Sequence, residues 1–478
     1  MLDLAFIVAV EAILLGAVII LREPKLLVPC VVLGLPFEYL QVQTLDTLGE
    51  GGVGGAIRTL LNPGKAAMAA TIVVAVWRCR HSPQRLVPNS SFILPVVLIA
   101  AVITLGVAWS DSQRPTNAVL ILPMYVAFVF AAPSLIEDRR DIERIVAAFL
   151  IAAGLVSVVA IGQRFIGALQ WRSMLFEPGG GYRSNATFAD PNNLARFLAI
   201  TLALAGGTIL ATGARRLTVY LAVPTVIVGL PALAATGSRS GLLGFLLAGF
   251  LMVMFAPIER YTKLRLAAFG LVGVTLGLGL LVLQGGSDFE RIKALTLGIR
   301  VLGQREFLIR AGWEMWKDNP FIGVGTGSFP NAVVQRYLWI FPWWAETTLS
   351  HTSFISILAE GGLVAISMLG FVLVRVANGA RNVYRRETGR YGRMMAAWCA
   401  VALTEIFFQS QSEGRLFDEP YLWAIFAIFV AVELGAVRRE PAGLPVVERT
   451  ARAAAPIRAT RAAVSAIEAP PGSPPAPA

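Results

Sequence analysis

Long apolar runs recur along this chain, most of them bounded by Arg or Lys. A helix needs about 20 apolar residues to cross a hydrocarbon core, and by that measure the runs predict about 12–13 membrane spans. Their cores fall at 2–21, 26–42, 64–77, 91–109, 118–136, 145–163, 194–212, 218–235, 241–257, 266–284, 352–374, 394–409 and 420–437. In hydrocarbon every backbone N–H and C=O must be bonded within its own segment, so each run is a helix. The predicted fold is all-α, a polytopic transmembrane helix bundle. The first run has no basic region before it and no small-residue cleavage site after it, and reads as a span.

Composition agrees: 56% of residues are hydrophobic and only 15% charged, which excludes a water-facing surface over most of the chain. The net charge of +11 is no sign of nucleic-acid binding, because its carriers cluster in alternate short loops. Examples are Arg78, Arg80 and Arg85, then Arg139, Arg140 and Arg144, and a run from Arg375 to Arg393. That alternation predicts an N-terminus outside and a C-terminus in the cytoplasm. Loops 110–117, 164–193, 236–240, 285–351 and 410–419 then face the exterior. The predicted organisation is N-terminal transmembrane helices over 1–284, a large periplasmic loop subdomain over 285–351, C-terminal transmembrane helices over 352–437, and a disordered cytoplasmic tail over 438–478, rich in Ala, Pro and Arg. Cys30, Cys79 and Cys399 show neither zinc spacing nor an external disulfide pair.

Two external segments are too long to serve only as connectors. In 164–193, Arg183, Asn185, Asp190, Asn192 and Asn193 crowd before the next apolar run. A turn plus a helix cap from Asn192 or Asn193 accounts for the asparagines. It does not account for Arg183, which positive-inside sorting disfavours at an outer boundary. In 285–351, Ser287 and Glu290 match a capping box. REFLIRAGWEMWKD predicts an amphipathic helix at the membrane surface, stopped by Pro320. FIGVGTGSF invites a phosphate-loop reading, but it follows a helix and lacks the nucleotide-loop lysine, so a tight turn is favoured. WIFPWW reads first as an interfacial aromatic belt and second as a sugar-stacking platform. Arg239 lies in a very short external turn, where snorkelling to headgroups competes with ligand binding.

His351, one of only two histidines, opens HTSFISILAEGG at a membrane–water boundary; His81 lies in a basic loop and reads as solvated surface. An imidazole titrates near neutral pH and suits a general base. Arginine forks suit a diphosphate. The residue pattern therefore predicts Arg183, Arg239, Arg305 and Arg310 around one anion, with His351 beside them.

The strings YRSNATFADPNNLA, TGSRSGLLGF, REFLIRAGWEMWKDNPFIGVGTGSF and HTSFISILAEGGLVAI, within residues 183–370, resemble the O-antigen ligase and Wzy-type polymerase family of integral membrane glycosyltransferases. The resemblance implies glycan transfer from a polyprenyl-diphosphate-linked oligosaccharide to an acceptor sugar hydroxyl, such as a glycan or lipid A-core, without metal, nucleotide or cofactor. It further implies Arg183, Arg239 and Arg305 near the donor diphosphate, His351 activating the acceptor, and Glu360 at the acidic position of the following helix. Asn192 and Arg310 complete the expected substrate-binding set. Thr352 stands where the family often has Asn. The implied location is a bacterial inner membrane, with the site facing the periplasm. Ligase and polymerase are not separable on these strings. The competing reading is a multi-span secondary transporter of a small anion or glycolipid, for which Glu11, Glu38, Glu405 and Glu433 are acids in or near spans.

Overall fold

The computed structural model describes residues 23–37, 62–112, 117–166, 176–177, 181–212, 217–268, 304–343, 350–414 and 416–438, with 169 and 270 besides. The predicted span 2–21, nearly all of 266–284, the capping box at Ser287 and the tail beyond 438 lie outside the described residues.

The described chain is a helical bundle, with one two-residue antiparallel pairing, Phe176–Glu177 against Gly181–Tyr182, as its strand structure among the described residues. In order, α1 is Leu27–Gly34, α2 Pro63–Arg78, α3 Ile93–Leu105, α4 Leu122–Ala131, α5 Arg139–Gly162 and α6 Pro191–Thr212. Then come α7 Val223–Ala235, α8 Arg239–Phe255, α9 Gln304–Asp318, α10 Ser353–Arg386, α11 Arg390–Glu413 and α12 Pro420–Glu433. Among the described residues, five stretches are long and apolar enough to cross a membrane: Ala118–Leu135, Arg139–Gly162, Pro191–Thr212, Thr218–Ala235 and Ser353–Arg386. Four shorter apolar helices accompany them.

Local chemistry starts several helices ahead of their apolar cores. Asp138 caps α5, accepting from Arg140 N and Asp141 N while the Asp141 side chain bonds back to the Asp138 amide. This box adds a polar first turn ahead of the run at 145–163. Asn62 caps α2 with Pro63 at the first helical position, and Ser238 caps α8 through Gly241 N at 3.1 Å.

At the centre, α6 packs on α8 and α11, with α7 alongside. Every residue of α12 from Pro420 to Val432 is buried, which fits a helix apolar all round. Lipid is as apolar as these side chains, so close packing rather than water exclusion holds such helices together. Gly244 of α8 faces Gln409 and Glu405 of α11, where any Cβ would overlap both side chains. Phe92 stacks on Phe429 at 4.9 Å, and Trp398 Nε1 donates to Ile200 O at 3.2 Å. The outward faces carry exposed Val73, Leu94, Ile227, Leu243, Phe250 and Val374, a surface for hydrocarbon rather than water.

Loops predicted to lie on opposite sides separate to opposite ends of the bundle. At the basic end, Lys25 pairs with Glu137 at 2.6 Å, Arg144 with Glu23 at 3.4 Å and Arg438 with Glu387 at 2.8 Å. There, too, Glu433 accepts from Ser90 Oγ and Ser91 N. At the other end, the loops at 110–112, 183–190, 236–240, 320–343, 350–352, 410–414 and 416–419 are bonded to one another as described next.

Candidate active site at the polar end of the bundle

The start of α6 organises the first part of the site. Pro191 fixes the first turn and Asp190 caps it, its Oδ1 accepting from Asn192 N at 2.7 Å. Neither Asn192 nor Asn193 is the cap, and the helix starts before Leu194, because the proline is preset for helical φ. The Asn192 side chain is thereby released to accept from Arg183 Nη2 at 2.7 Å, while Arg183 Nε donates to Thr236 O at 2.8 Å. Arg183 thus ties the entry of α6 to the α7–α8 turn. Arg239, the first residue of α8, follows in that same turn; it is exposed and has no side-chain partner among the described residues.

One turn into α6, Arg196 is completely buried. Its Nη2 donates to Glu413 Oε2 at 2.5 Å, and its Nη1 donates to Glu419 Oε1 and to the Tyr421 hydroxyl, both at 3.1 Å. A buried guanidinium is tolerated only with partners of this kind. The trio fixes the α11–α12 loop to α6. Sequence reasoning missed it. The available signal was an arginine inside a predicted span, one turn past Asn192, opposite two acids in a predicted external loop.

Gly414 caps α11 in the left-handed region (φ +73°) and lies against the Ser350 carbonyl so closely that a Cβ would overlap it. Phe354 N donates to Gln411 Oε1 at 3.1 Å. These contacts set half-buried His351 beside the end of α11, immediately before α10.

Inside α10 the helix breaks at Gly362 (φ +62°), and the segment after α9 takes up the released backbone groups. Leu363 N donates to Pro320 O at 2.8 Å, Val364 N to Phe321 O at 3.2 Å, Val324 N to Ala359 O at 2.9 Å and Gly325 N to Glu360 O at 3.0 Å. Gly323 (φ +67°) touches the Glu360 backbone where a Cβ cannot fit. The FIGVGTGSF amides are thus committed to the protein itself, as the tight-turn reading expected. The anion they meet is the Glu360 carboxylate, which accepts from Phe329 N at 3.1 Å and from the Gly327 amide. Ser110 and Asp111 close the other side: Asp111 N donates to Ser328 Oγ at 2.8 Å and Ser110 Oγ to Thr326 O at 2.6 Å. Glu360, Asp418, Ser353, Ser356 and Thr326 line a cavity of about 130 Å³ that ends at Gly414.

The amphipathic helix is present as α9. Its apolar face, Leu308, Ala311 and Met315, packs on Ile355, Ala359 and Phe329, so it docks on the first turns of α10. Arg305 and Arg310 lie on its outward face, exposed and without a side-chain partner among the described residues. Tyr337 donates to Asp318 Oδ2 at 2.6 Å; burial, together with that bond, pushes its phenol up to about 12. From WIFPWW, Trp339 and Trp343 are exposed.

The contacts therefore join Arg183, Asn192 and the Arg239 turn through α6 to Arg196, and through the α11–α12 loop to the Ser350–His351 turn, while Glu360 and Asp418 of that loop line one cavity. No described contact joins Arg305 or Arg310 to that network. Among the described residues no group of three or more His, Cys, Asp or Glu could hold a metal ion.

Fold and site together define an integral membrane helical protein with a charged, partly enclosed site at one end of its bundle. Residues 224–370 match the family model described as O-antigen ligase, which supports the O-antigen ligase and Wzy-type family for this chain. The matched segment runs from α7 into α10 and contains Arg239, Arg305, Arg310, His351 and Glu360; Arg183, Asn192 and Arg196 precede it. It supports a ligase-type glycosyltransferase role in polysaccharide biosynthesis, a role that implies a lipid-linked glycan donor and a glycan acceptor. No curated protein matches the chain.

Proposed function

We propose that this protein moves a glycan from a polyprenyl-diphosphate carrier to an acceptor sugar hydroxyl, on the periplasmic face of a bacterial inner membrane, as an O-antigen ligase or repeat-unit polymerase. The observation that carries the reading is the position of His351. It is half-buried at the mouth of α10, at the bundle end where Arg239, Arg305 and Arg310 present guanidinium groups with no partner among the described residues.

The sugar–diphosphate bond already contains a leaving group, so the enzyme has two tasks: neutralise charge and align a nucleophile. Arg239, Arg305 and Arg310 supply paired N–H donors to the diphosphate, with Arg183 holding the turn that carries Arg239. Neutral His351 accepts the proton of the incoming hydroxyl as it attacks the anomeric carbon, and the carrier diphosphate leaves with the bonding electron pair. Glu360 and Asn192 act on this site through the loops they hold.

His351→Ala is expected to insert and accumulate normally while glycan transfer from a purified lipid-linked oligosaccharide falls by about 10²-fold or more. Transfer at the wild-type rate by that variant removes His351 from the mechanism. A transporter reading draws on Glu405, buried within α11 and bonded by Gln409. Movement of the lipid-linked glycan across proteoliposomes without carrier release would favour it.

A further inference from the structure

A second cavity, of about 740 Å³, lies away from the site, as an apolar trench between α10 and α11. Leu369, Val376 and Ala380 of α10 and Ala397, Ala400 and Phe407 of α11 form its walls, and Phe426 of α12 its floor. Alanines on both walls leave the width open. From Leu369 to Arg385 the trench follows α10 for about 24 Å at the helical rise. That exceeds one leaflet of a core about 30 Å thick.

Its two ends differ in charge. At the basic end of the bundle, Arg381 and Arg385 stand one turn apart on the rim, exposed and with no side-chain partner among the described residues. Tyr384 lies between them in sequence and carries Arg393 over its ring at 5.8 Å. At the other end the trench closes on Leu416 and Phe417, behind which lie Asp418 and Glu360. The two arginines favour an anionic headgroup at the first end, and among the described residues the lining of the second end holds no cation to receive one.

We propose that this trench is a binding site for one anionic phospholipid from the leaflet at the arginine end, with an acyl chain along α10 and α11 and the phosphate between Arg381 and Arg385. A basic pocket between membrane helices suits a headgroup phosphate, and its cavity size suits a single lipid chain. The occupant is separate from the glycan donor proposed above, and the inference does not depend on that reaction.

Full-length protein in nanodiscs of phosphatidylcholine doped with phosphatidylglycerol, released into native mass spectrometry, reads the bound lipid directly. One phosphatidylglycerol is expected to be retained in preference to phosphatidylcholine. Replacing both arginines (Arg381→Ala with Arg385→Ala) should weaken that retention by roughly thirtyfold, from about fivefold per charge. Ala377→Trp, at an exposed wall position, should block retention while circular dichroism and gel filtration stay unchanged. If that variant misfolds, the arginine pair alone decides. Equal retention of both lipids, retention indifferent to the arginine changes, or displacement of phosphatidylglycerol by an isoprenoid diphosphate would each overturn the assignment.

Discussion

Arg196 shows what a single buried charge does in this bundle. Removing it leaves Glu413 and Glu419 close together without their cation, so Arg196→Met is expected to cost about 3–5 kcal/mol. The measurement is thermal or denaturant unfolding in detergent. Adding Glu413→Gln and Glu419→Gln should restore most of the loss, and an Arg196→Met protein as stable as wild type would contradict the pairing. Tyr337 gives a pH test in the segment between α9 and α10. Its folded pKa is raised above the ordinary value near 10, so the contribution of its bond to Asp318 is fully present below that value and is lost as pH rises through about 12. In an absorbance titration, wild type should therefore contain one late-ionising phenol that Tyr337→Phe lacks. At this scale the sequence was legible where chemistry is local. Arg183 stood out because it broke the positive-inside pattern, whereas Arg196 did not, because its partners lie far along the chain and no periodicity connects them.

Among the elements, the broken helix α10 is the informative one. Gly362 sits at φ +62° against Phe321, and Gly323 at φ +67° against Glu360. Each position disfavours a side chain on both conformational and steric grounds. Gly362→Ala should therefore destabilise the junction by about 1–3 kcal/mol, detected as faster proteolysis within 319–330 in intact proteoliposomes. Unchanged cleavage would mean that the junction is not held by this backbone exchange. Hydropathy predicted an unbroken span at 352–374, because Gly362 interrupts the φ angles without interrupting the apolar pattern. The loop motif was legible as a turn, but not the identity of its anion. Glu360 is more than thirty residues away in sequence from the loop amides it meets, a pairing that only the tertiary fold creates.

For the whole molecule, helix content and the segregation of loops were legible from apolar runs and from arginine placement. Where two helices cross was not, since contacts such as Gly244 against Glu405 and Gln409 depend on the three-dimensional path. The two-ended arrangement predicts sidedness. In a background with Cys30, Cys79 and Cys399 replaced, Trp343→Cys should react with an impermeant maleimide from the periplasmic side and Arg386→Cys only after the membrane is opened. Reversed labelling would invert the topology and move the proposed reaction to the cytoplasm. The backbone exchange between α10 and the segment after α9 bears on how such proteins are recombined. A chimaera that borrows the insert from another protein while keeping the host's own α10 would join strands of hydrogen bonding that were never matched. Swaps are expected to yield folded protein only when residues 304–370 travel as one block.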